Sequence, residues 1–81
     1  MKLGVELYSE LRDVAGAPKL VVDLAEAATV ADLLAKLYEK VPALRARDKS
    51  ILVGVGVEFV DRKYKLQPGD EVSIMPPVQG G

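Results

Sequence analysis

The sequence contains no cysteine and no histidine among its 81 residues. Without a thiol or an imidazole, the chain has no cysteine nucleophile and no histidine base, and it can form neither a disulfide nor a zinc site of the usual N/S type. Carboxylates remain as possible ligands for a hard cation. We therefore expect no bound metal and no catalysis by this chain on its own, and we expect it to act together with a partner protein.

The chain also lacks a basic excess and a long apolar run. Eleven Lys and Arg oppose twelve Asp and Glu, which gives a net charge of -1 and makes nucleic acid an unexpected partner. The start, MKLGVELY, lacks the apolar core of a signal peptide, and no stretch approaches the roughly 18 apolar residues of a membrane span. We expect a cytoplasmic protein without a membrane partner.

Apolar residues alternate with other types in two N-terminal stretches, which predicts two strands. Leu3, Val5 and Leu7 form the first set, and the second set is Leu20, Val22 and Leu24. The stretch between them, SELRDVAGAP, contains Gly16 and Pro18 and predicts a long connecting loop. The two strands are expected to pair as a hairpin.

The clearest predicted element is one helix over residues 29–41. Its apolar stripe consists of Val30, Leu33, Leu34, Leu37, Tyr38 and Val41. Thr29 is placed as the N-cap with Asp32 three residues on, and Pro42 ends the helix.

Short strands and turns fill the C-terminal half. ALRARDKS predicts a polar connection with at most one helical turn, in which Arg45, Arg47 and Lys49 form either a basic patch or, as we favour, a solvated loop. ILVGVGV and EFV predict strands separated by a turn near Gly56, and a turn over 68–70 precedes a last strand in which Val72 and Ile74 point inward.

This order of elements predicts an α+β domain of the β-grasp type over residues 1–75. We expect a mixed sheet of four to five strands with one main helix packed on one face. The first and last strands should lie side by side and parallel at the sheet centre. An extended C-terminal tail, residues 76–81, should come after the last strand.

The last seven letters, MPPVQGG, have the properties of a device for threading into a partner. Pro76 and Pro77 should end the last strand at Met75 and stiffen the start of the tail. Six residues reach roughly 20 Å at most, and Gly80 and Gly81 carry no side chain, so the tip would fit a narrow channel. The Gly81 carboxylate would need activation, normally as an acyl-adenylate made by a partner that uses ATP. The alternative is an inert tail.

The whole chain resembles the small, sulfur-carrying subunits of molybdopterin synthase, a ubiquitin-like family of the MoaD/ThiS type. The resemblance depends mainly on LQPGDEV, matching L-x-P-G-D-E-V, and on the terminal MPPVQGG, with LRDVAG near the start in agreement. One departure is Gly56-Val57, where relatives often have Asn-Gly or a similar polar turn. The register of that hairpin is therefore less certain from the sequence.

The resemblance implies a function in molybdenum cofactor biosynthesis. It implies that a ubiquitin-activating-like adenylyltransferase and sulfurtransferase adenylates Gly81 and converts it to a thiocarboxylate. It further implies that the tail, including Val78 and Gln79, enters the large synthase subunit in a complex of two small and two large subunits. There the sulfur would pass to cyclic pyranopterin monophosphate to form the dithiolene. The chain itself would bind no cofactor and no nucleotide.

Partner-binding residues are predicted beside the start of the tail. Alternation places Tyr8 and Met75 on the outer face of the sheet, at the ends of the first and last strands, where they would form an apolar patch. Phe59 is either a third member or a core residue, and the family resemblance adds Arg12. The carboxylates Asp13, Asp70 and Glu71 are expected to serve turns and solubility rather than acid–base chemistry.

Other functions remain open at this point. The chain could carry sulfur for another pathway, such as thiamine synthesis or tRNA thiolation, although thiazole sulfur carriers are typically shorter and lack the PPVxGG ending. It could be a ubiquitin-like modifier joined through Gly81 to a lysine of a target protein. It could also be a β-grasp binding module with an inert tail.

Overall fold

The fold is described from a computed structural model, which describes residues 1–77. The elements follow in chain order as β1 (Lys2–Leu7), α1 (Glu10–Ala15), β2 (Lys19–Asp23), α2 (Val30–Lys40), a 3₁₀ helix (Pro42–Ser50), β3 (Leu52–Val55), β4 (Glu58–Val60) and β5 (Val72–Met75). No helix in this part of the chain is long and apolar enough to cross a membrane.

The five strands form one mixed sheet in the order β2-β1-β5-β3-β4. The first and last strands, β1 and β5, are parallel neighbours at its centre, and Val5 lies opposite Val72. Every other pair is antiparallel. The predicted β-grasp arrangement is confirmed, with five strands.

One apolar core lies between the sheet and the helices. Alternate residues of the strands point into it, and Val5 and Ile74 are fully buried at its centre. Within residues 1–77 no polar or charged side chain is buried. The buried residues are Leu3, Val5, Leu7, Leu11, Val22, Leu24, Ala28, Val30, Leu33, Leu34, Leu37, Tyr38, Leu44, Ile51, Val53, Leu66, Val72 and Ile74. We call the opposite side of the sheet its outer face.

Helix α2 begins and ends within one residue of its predicted bounds. The Asp32 N–H donates to Thr29 Oγ1 at 3.3 Å, and the Thr29 N–H donates to Asp32 Oδ2 at 2.9 Å. This reciprocal capping box satisfies two backbone donors that the first helical turn leaves free. The last helical residue is Lys40, and Val41 is the C-cap before Pro42.

The predicted loop between β1 and β2 is wrong, because residues 10–15 form helix α1. Its signal is the spacing of Leu11, Val14 and Ala15, of which Leu11 is fully buried and the other two pack against the core. Gly16 ends the helix in the left-handed conformation with φ 71°, and its N–H donates to the Arg12 carbonyl at 2.9 Å. The turn formers Gly16 and Pro18 lie directly after this short helix and favour a loop in the sequence pattern.

The connection after α2 is also more ordered than its sequence predicts. A 3₁₀ helix of nine residues replaces a loop with at most one helical turn. Leu44 is its fully buried anchor. Two of the basic residues on it have individual partners: Arg47 pairs with Glu10 at 2.7 Å, and Arg45 lies over the Tyr38 ring at 5.5 Å. This pairing fits a solvated face better than a free basic patch.

The hairpin of β3 and β4 has a definite register despite the unusual Gly56-Val57 turn. Gly56 adopts φ +62°, a conformation that glycine accepts without a steric penalty. Val53 lies opposite Val60, and Gly54 lies opposite Phe59. Phe59 therefore points to the same outer face as Gly54.

Candidate functional site

The carboxyl ends of β1 and β5 meet at one edge of the sheet, directly before residue 76. Leu7 lies opposite Ile74, and the Tyr8 N–H donates to the Ile74 carbonyl at 3.1 Å. β5 ends at Met75, the residue at which the sequence predicts its end. The strand that leads into the tail is thus held by β1 on one side and by β3 on the other.

Tyr8 lies where the alternation places it, on the surface at the end of β1. Its side chain is 41% exposed, and its hydroxyl donates to Glu6 Oε2 at 2.8 Å. This hydrogen bond to the Glu6 carboxylate, strengthened by the carboxylate charge, raises the pKa of Tyr8. The phenol therefore stays protonated at neutral pH and presents a ring with a polar edge.

Arg12 lies close to Tyr8 because α1 folds back over the end of β1. Its Nε–H donates weakly to the Leu7 carbonyl at 3.5 Å, and the positive guanidinium acts to lower the pKa of Tyr8, against the effect of Glu6. The resemblance suggested Arg12, but sequence reasoning missed the helix that places it there.

The turn between β1 and α1 holds an unusual backbone conformation. Ser9 has φ 57° and ψ -136°, and the Leu11 N–H donates to the Tyr8 carbonyl at 3.2 Å. These are the features of a type II′ turn, whose second residue is usually glycine. The serine side chain makes no capping hydrogen bond.

The outer face carries a second group of apolar side chains on β3, β4 and β5. Phe59 is 64% exposed, so the alternative that placed it in the core is wrong. Met75 is half-buried and lines one shallow pocket together with Phe59. Leu52, opposite Met75, and Val57 at the hairpin tip are also exposed. We call Leu52, Val57, Phe59 and Met75 the outer apolar patch.

Sequence reasoning missed two members of this patch. Leu52 alternates with the buried Val53, so the period of the strand already placed it on the outer face. Val57 occupies a turn position next to Gly56, where a polar residue is more usual, and its side chain is fully exposed. A valine at a tight-turn position was the sequence signal that could have identified Val57 as an exposed apolar residue.

The predicted tail begins within the described structure and continues beyond it. Pro76 is half-buried and Pro77 is exposed. The predicted site residues Val78, Gln79, Gly80 and Gly81 lie outside the described residues.

Asp70, in the turn that precedes β5, serves the backbone, as expected. Its Oδ2 accepts the Gln67 N–H at 2.8 Å and closes the turn in which Gly69 has φ +87°. Among residues 1–77 no three carboxylates gather closely enough to hold a metal ion.

A polar cluster joins α2, the 3₁₀ helix and the segment after β4 on the far side of the core. The Tyr38 hydroxyl donates to Asp48 Oδ1, and Arg62 donates to the same oxygen at 3.0 Å and to the Asp48 carbonyl at 2.8 Å. Burial, and then the hydrogen bond to Asp48, raise the pKa of Tyr38. The hydrogen bonds from Tyr38 and Arg62 lower the pKa of Asp48. This cluster fastens the 3₁₀ helix to the domain.

Three comparisons relate the chain to known proteins. The model of the ThiS family matches residues 5–81. The molybdopterin synthase sulfur carrier subunit of Chlamydomonas reinhardtii is 35% identical over 83 aligned residues, which cover 100% of both sequences.

Two solved structures share the fold. The small archaeal modifier protein 1 of Haloferax volcanii has a TM-score of 0.89 at 32% identity, with 100% of both chains covered. The structure of a complex of subunits 1 and 2 of the molybdopterin-converting factor from Helicobacter pylori contains a chain with a TM-score of 0.73 at 22% identity, again with 100% of both chains covered. At this identity the second likeness concerns the fold alone.

Proposed function

The chain belongs to the ThiS family, whose model spans residues 5–81, and from this membership we propose that it is the sulfur carrier subunit of a molybdopterin synthase. The observation that carries the proposal is the match from end to end, at 35% identity, with a protein named as that subunit. The match includes the terminal residues on which sulfur transfer would depend.

The geometry suits a domain that holds a tail out toward another protein. The root of the tail, Met75, pairs with Leu52 of β3 at the end of β5, and the preceding residue, Ile74, pairs with Leu7 of β1. Pro76 and Pro77 come directly after it; proline lacks the N–H that a ladder needs and has a nearly fixed φ. Residues 1–75 thus serve as the folded domain that positions the tail. Residues 76–81, with a reach of roughly 20 Å, are the part that enters the partner.

The chemistry takes place at the Gly81 carboxylate. An activating enzyme uses ATP to convert this carboxylate into an acyl-adenylate with release of pyrophosphate, and a sulfur nucleophile then displaces AMP to leave the thiocarboxylate. The large synthase subunit receives the tail, the sulfur passes to cyclic pyranopterin monophosphate, and water supplies the oxygen that returns Gly81 to a carboxylate. Each dithiolene takes its two sulfur atoms from two thiocarboxylates.

The surface beside the tail is the contact surface for the large subunit in this proposal. Tyr8 and Arg12 provide a polar rim, and Phe59 and Met75 provide the apolar centre, which is the usual division within a protein interface. Two small and two large subunits make up the proposed complex.

Intact-mass spectrometry tests the proposal. The protein is incubated with its activating enzyme, ATP and a sulfur donor, and we expect the mass increase of one oxygen replaced by sulfur. The thiocarboxylated protein is then mixed with the large subunit and cyclic pyranopterin monophosphate, and it should return to its original mass as the dithiolene forms. An unchanged mass with an active enzyme would disprove sulfur loading. Loading without transfer to the large subunit would point to another sulfur pathway.

A second candidate function is protein modification. It is favoured by the likeness at 32% identity to a small archaeal modifier protein over the full length of both chains. The activated Gly81 would then form an isopeptide bond with a lysine of a target. Denaturing gels of cells that produce a tagged chain distinguish this function, because conjugates survive boiling with a thiol whereas a thiocarboxylate leaves the chain at its own size.

A further inference from the structure

A missing side chain creates a pocket in the middle of the outer apolar patch. Ser73 on β5, Gly54 on β3 and Phe59 on β4 form one row across three neighbouring strands. Strands lie about 4.8 Å apart, so the backbones at Ser73 and Phe59 are separated by about 9.5 Å, with Gly54, which has no side chain, between them. The pocket over Gly54 has a volume of about 100 Å³.

The lining of this pocket combines the apolar side chains of Val57, Phe59 and Met75 with the polar side chains of Glu58 and Ser73. Phe59 forms one wall, Met75 and Ser73 form the other, and Gly54 is the floor. A Cβ added at Gly54 would lie 3.2 Å from Ser73 Oγ and 3.8 Å from Met75 Cε. Even a methyl group would therefore occupy the floor of the pocket.

Nothing in the backbone requires glycine at position 54. Its φ lies outside the positive region that favours glycine, and it is paired within the regular strand β3. Glycine in the interior of a strand weakens the strand and often marks a site of close approach by another molecule. The close approach of Ser73 and Met75 to Gly54, rather than its backbone conformation, is the feature that distinguishes this residue.

We propose that this pocket holds one aliphatic side chain of the protein that receives the tail. Met75 is both a wall of the pocket and the residue directly before Pro76, so a protein that encloses the tail from its root also covers the pocket. The inference rests on the proposed function, which requires such a protein. It adds the chemical nature of the contact and identifies Gly54 as the residue that determines its specificity.

The size of the pocket selects the occupant. An engineered apolar cavity of about 150 Å³ binds benzene, so a pocket of about 100 Å³ suits Val, Leu, Ile or Met better than an aromatic residue. Side chains enclosed in well-packed pockets at the centre of an interface, away from the rim, contribute a large share of binding energy.

The test fills the pocket and measures affinity for the large synthase subunit by calorimetry. Gly54→Ala fills the floor and Gly54→Val fills most of the volume, and we expect the Kd to rise about threefold and at least about tenfold, respectively. Phe59→Ala removes a wall and should also raise the Kd about tenfold. Gly4→Ala is the matched control on the same face, because its Cβ meets only the movable end of Lys19.

Two further measurements distinguish a direct loss of binding from a loss of folding or of sulfur loading. Thermal unfolding of each variant shows whether a loss of affinity follows from a loss of folding, and Phe59→Ala keeps the test valid if Gly54→Val unfolds, because Phe59 is 64% exposed. Sulfur loading of Gly81 is measured in parallel. Wild-type affinity in folded Gly54→Val and in Phe59→Ala, with normal loading, would overturn the pocket proposal and the place of Phe59 in the contact surface, while the proposed sulfur-carrier function would stand. Failure of the wild-type chain to load or to bind the large subunit would overturn the proposed function and this inference with it.

Discussion

Replacement of Ser9 by glycine should stabilise the domain, because Ser9 adopts a backbone conformation that suits glycine. Its φ of 57° and ψ of -136° belong to the second position of a type II′ turn. A residue with a side chain held in such a region costs about 1–3 kcal/mol. The hydroxyl makes no capping hydrogen bond that the substitution would remove.

The expected gain follows from two opposing contributions. Relief of strain contributes about 1–3 kcal/mol, and the greater freedom of glycine in the unfolded chain takes back about 0.4–1 kcal/mol. We therefore expect Ser9→Gly to raise the free energy of unfolding by about 1 kcal/mol, which corresponds to a rise in Tm of about 4–8 °C for a domain of this size. Urea unfolding followed by circular dichroism measures the free energy, and calorimetry measures the Tm.

Two matched variants control for a general effect of glycine. Ala27, which has φ 63°, should also gain stability on replacement by glycine, whereas Gly16→Ala, at φ +71°, should lose about 1 kcal/mol or more. A lower stability of Ser9→Gly at an unchanged urea m-value would refute the reasoning, because the serine side chain would then contribute more than its backbone costs.

Three further predictions concern the polar cluster, the root of the tail and the tip. The pKa of Asp48 is lowered in the folded state, so its contribution to stability is present above the ordinary pKa of 3.8 and is lost as the pH falls below it. Between pH 5 and pH 3, the wild-type protein should therefore lose more stability than Asp48→Asn. Equal losses of the two proteins in urea unfolding would contradict this assignment. Met75→Asp should raise the Kd for the large subunit at least about tenfold, while the Tm falls by only a few degrees, since Met75 is half-buried on the outer face. Loss of the cooperative unfolding transition in this variant would place Met75 in the core. One residue appended after Gly81 should abolish sulfur loading in the mass assay without changing the Tm, and loading at the wild-type rate would exclude a terminal mechanism.

Much of the fold could be predicted because strong local patterns agree with the tertiary structure. The capped apolar stripe from Thr29 onward defined α2, and the alternation in β1 and β5 gave their buried faces. Helix α1 escaped because six residues hold too few apolar positions to define a period, although Leu11 is fully buried. The 3₁₀ helix escaped because one buried residue, Leu44, anchors an otherwise polar segment.

The sequence predicted the position of a site residue where the alternation within a single strand determines that position. Tyr8 and Met75 follow from strand parity alone and lie where the sequence placed them. Phe59 could not be assigned, because β4 has only three residues and its face depends on the register set by the Gly56-Val57 turn. The pocket over Gly54 depends on three strands, one of them distant in the sequence from the other two, so no local pattern reveals it.

The parallel pairing of β1 with β5 has a consequence for the synthesis of the protein in the cell. The contact of Val5 with Val72 closes a loop of almost the whole chain, and such distant contacts form late and slowly. β1 can pair with β2 earlier, but its second neighbour in the sheet, β5, becomes available only after the last strand has left the ribosome. A chain that ends prematurely before β5 lacks the central strand as well as the tail. Such a chain cannot complete the sheet, and we expect that it does not bind the partner as an inactive competitor. Completion of the fold is thereby coupled to synthesis of the C-terminal residues.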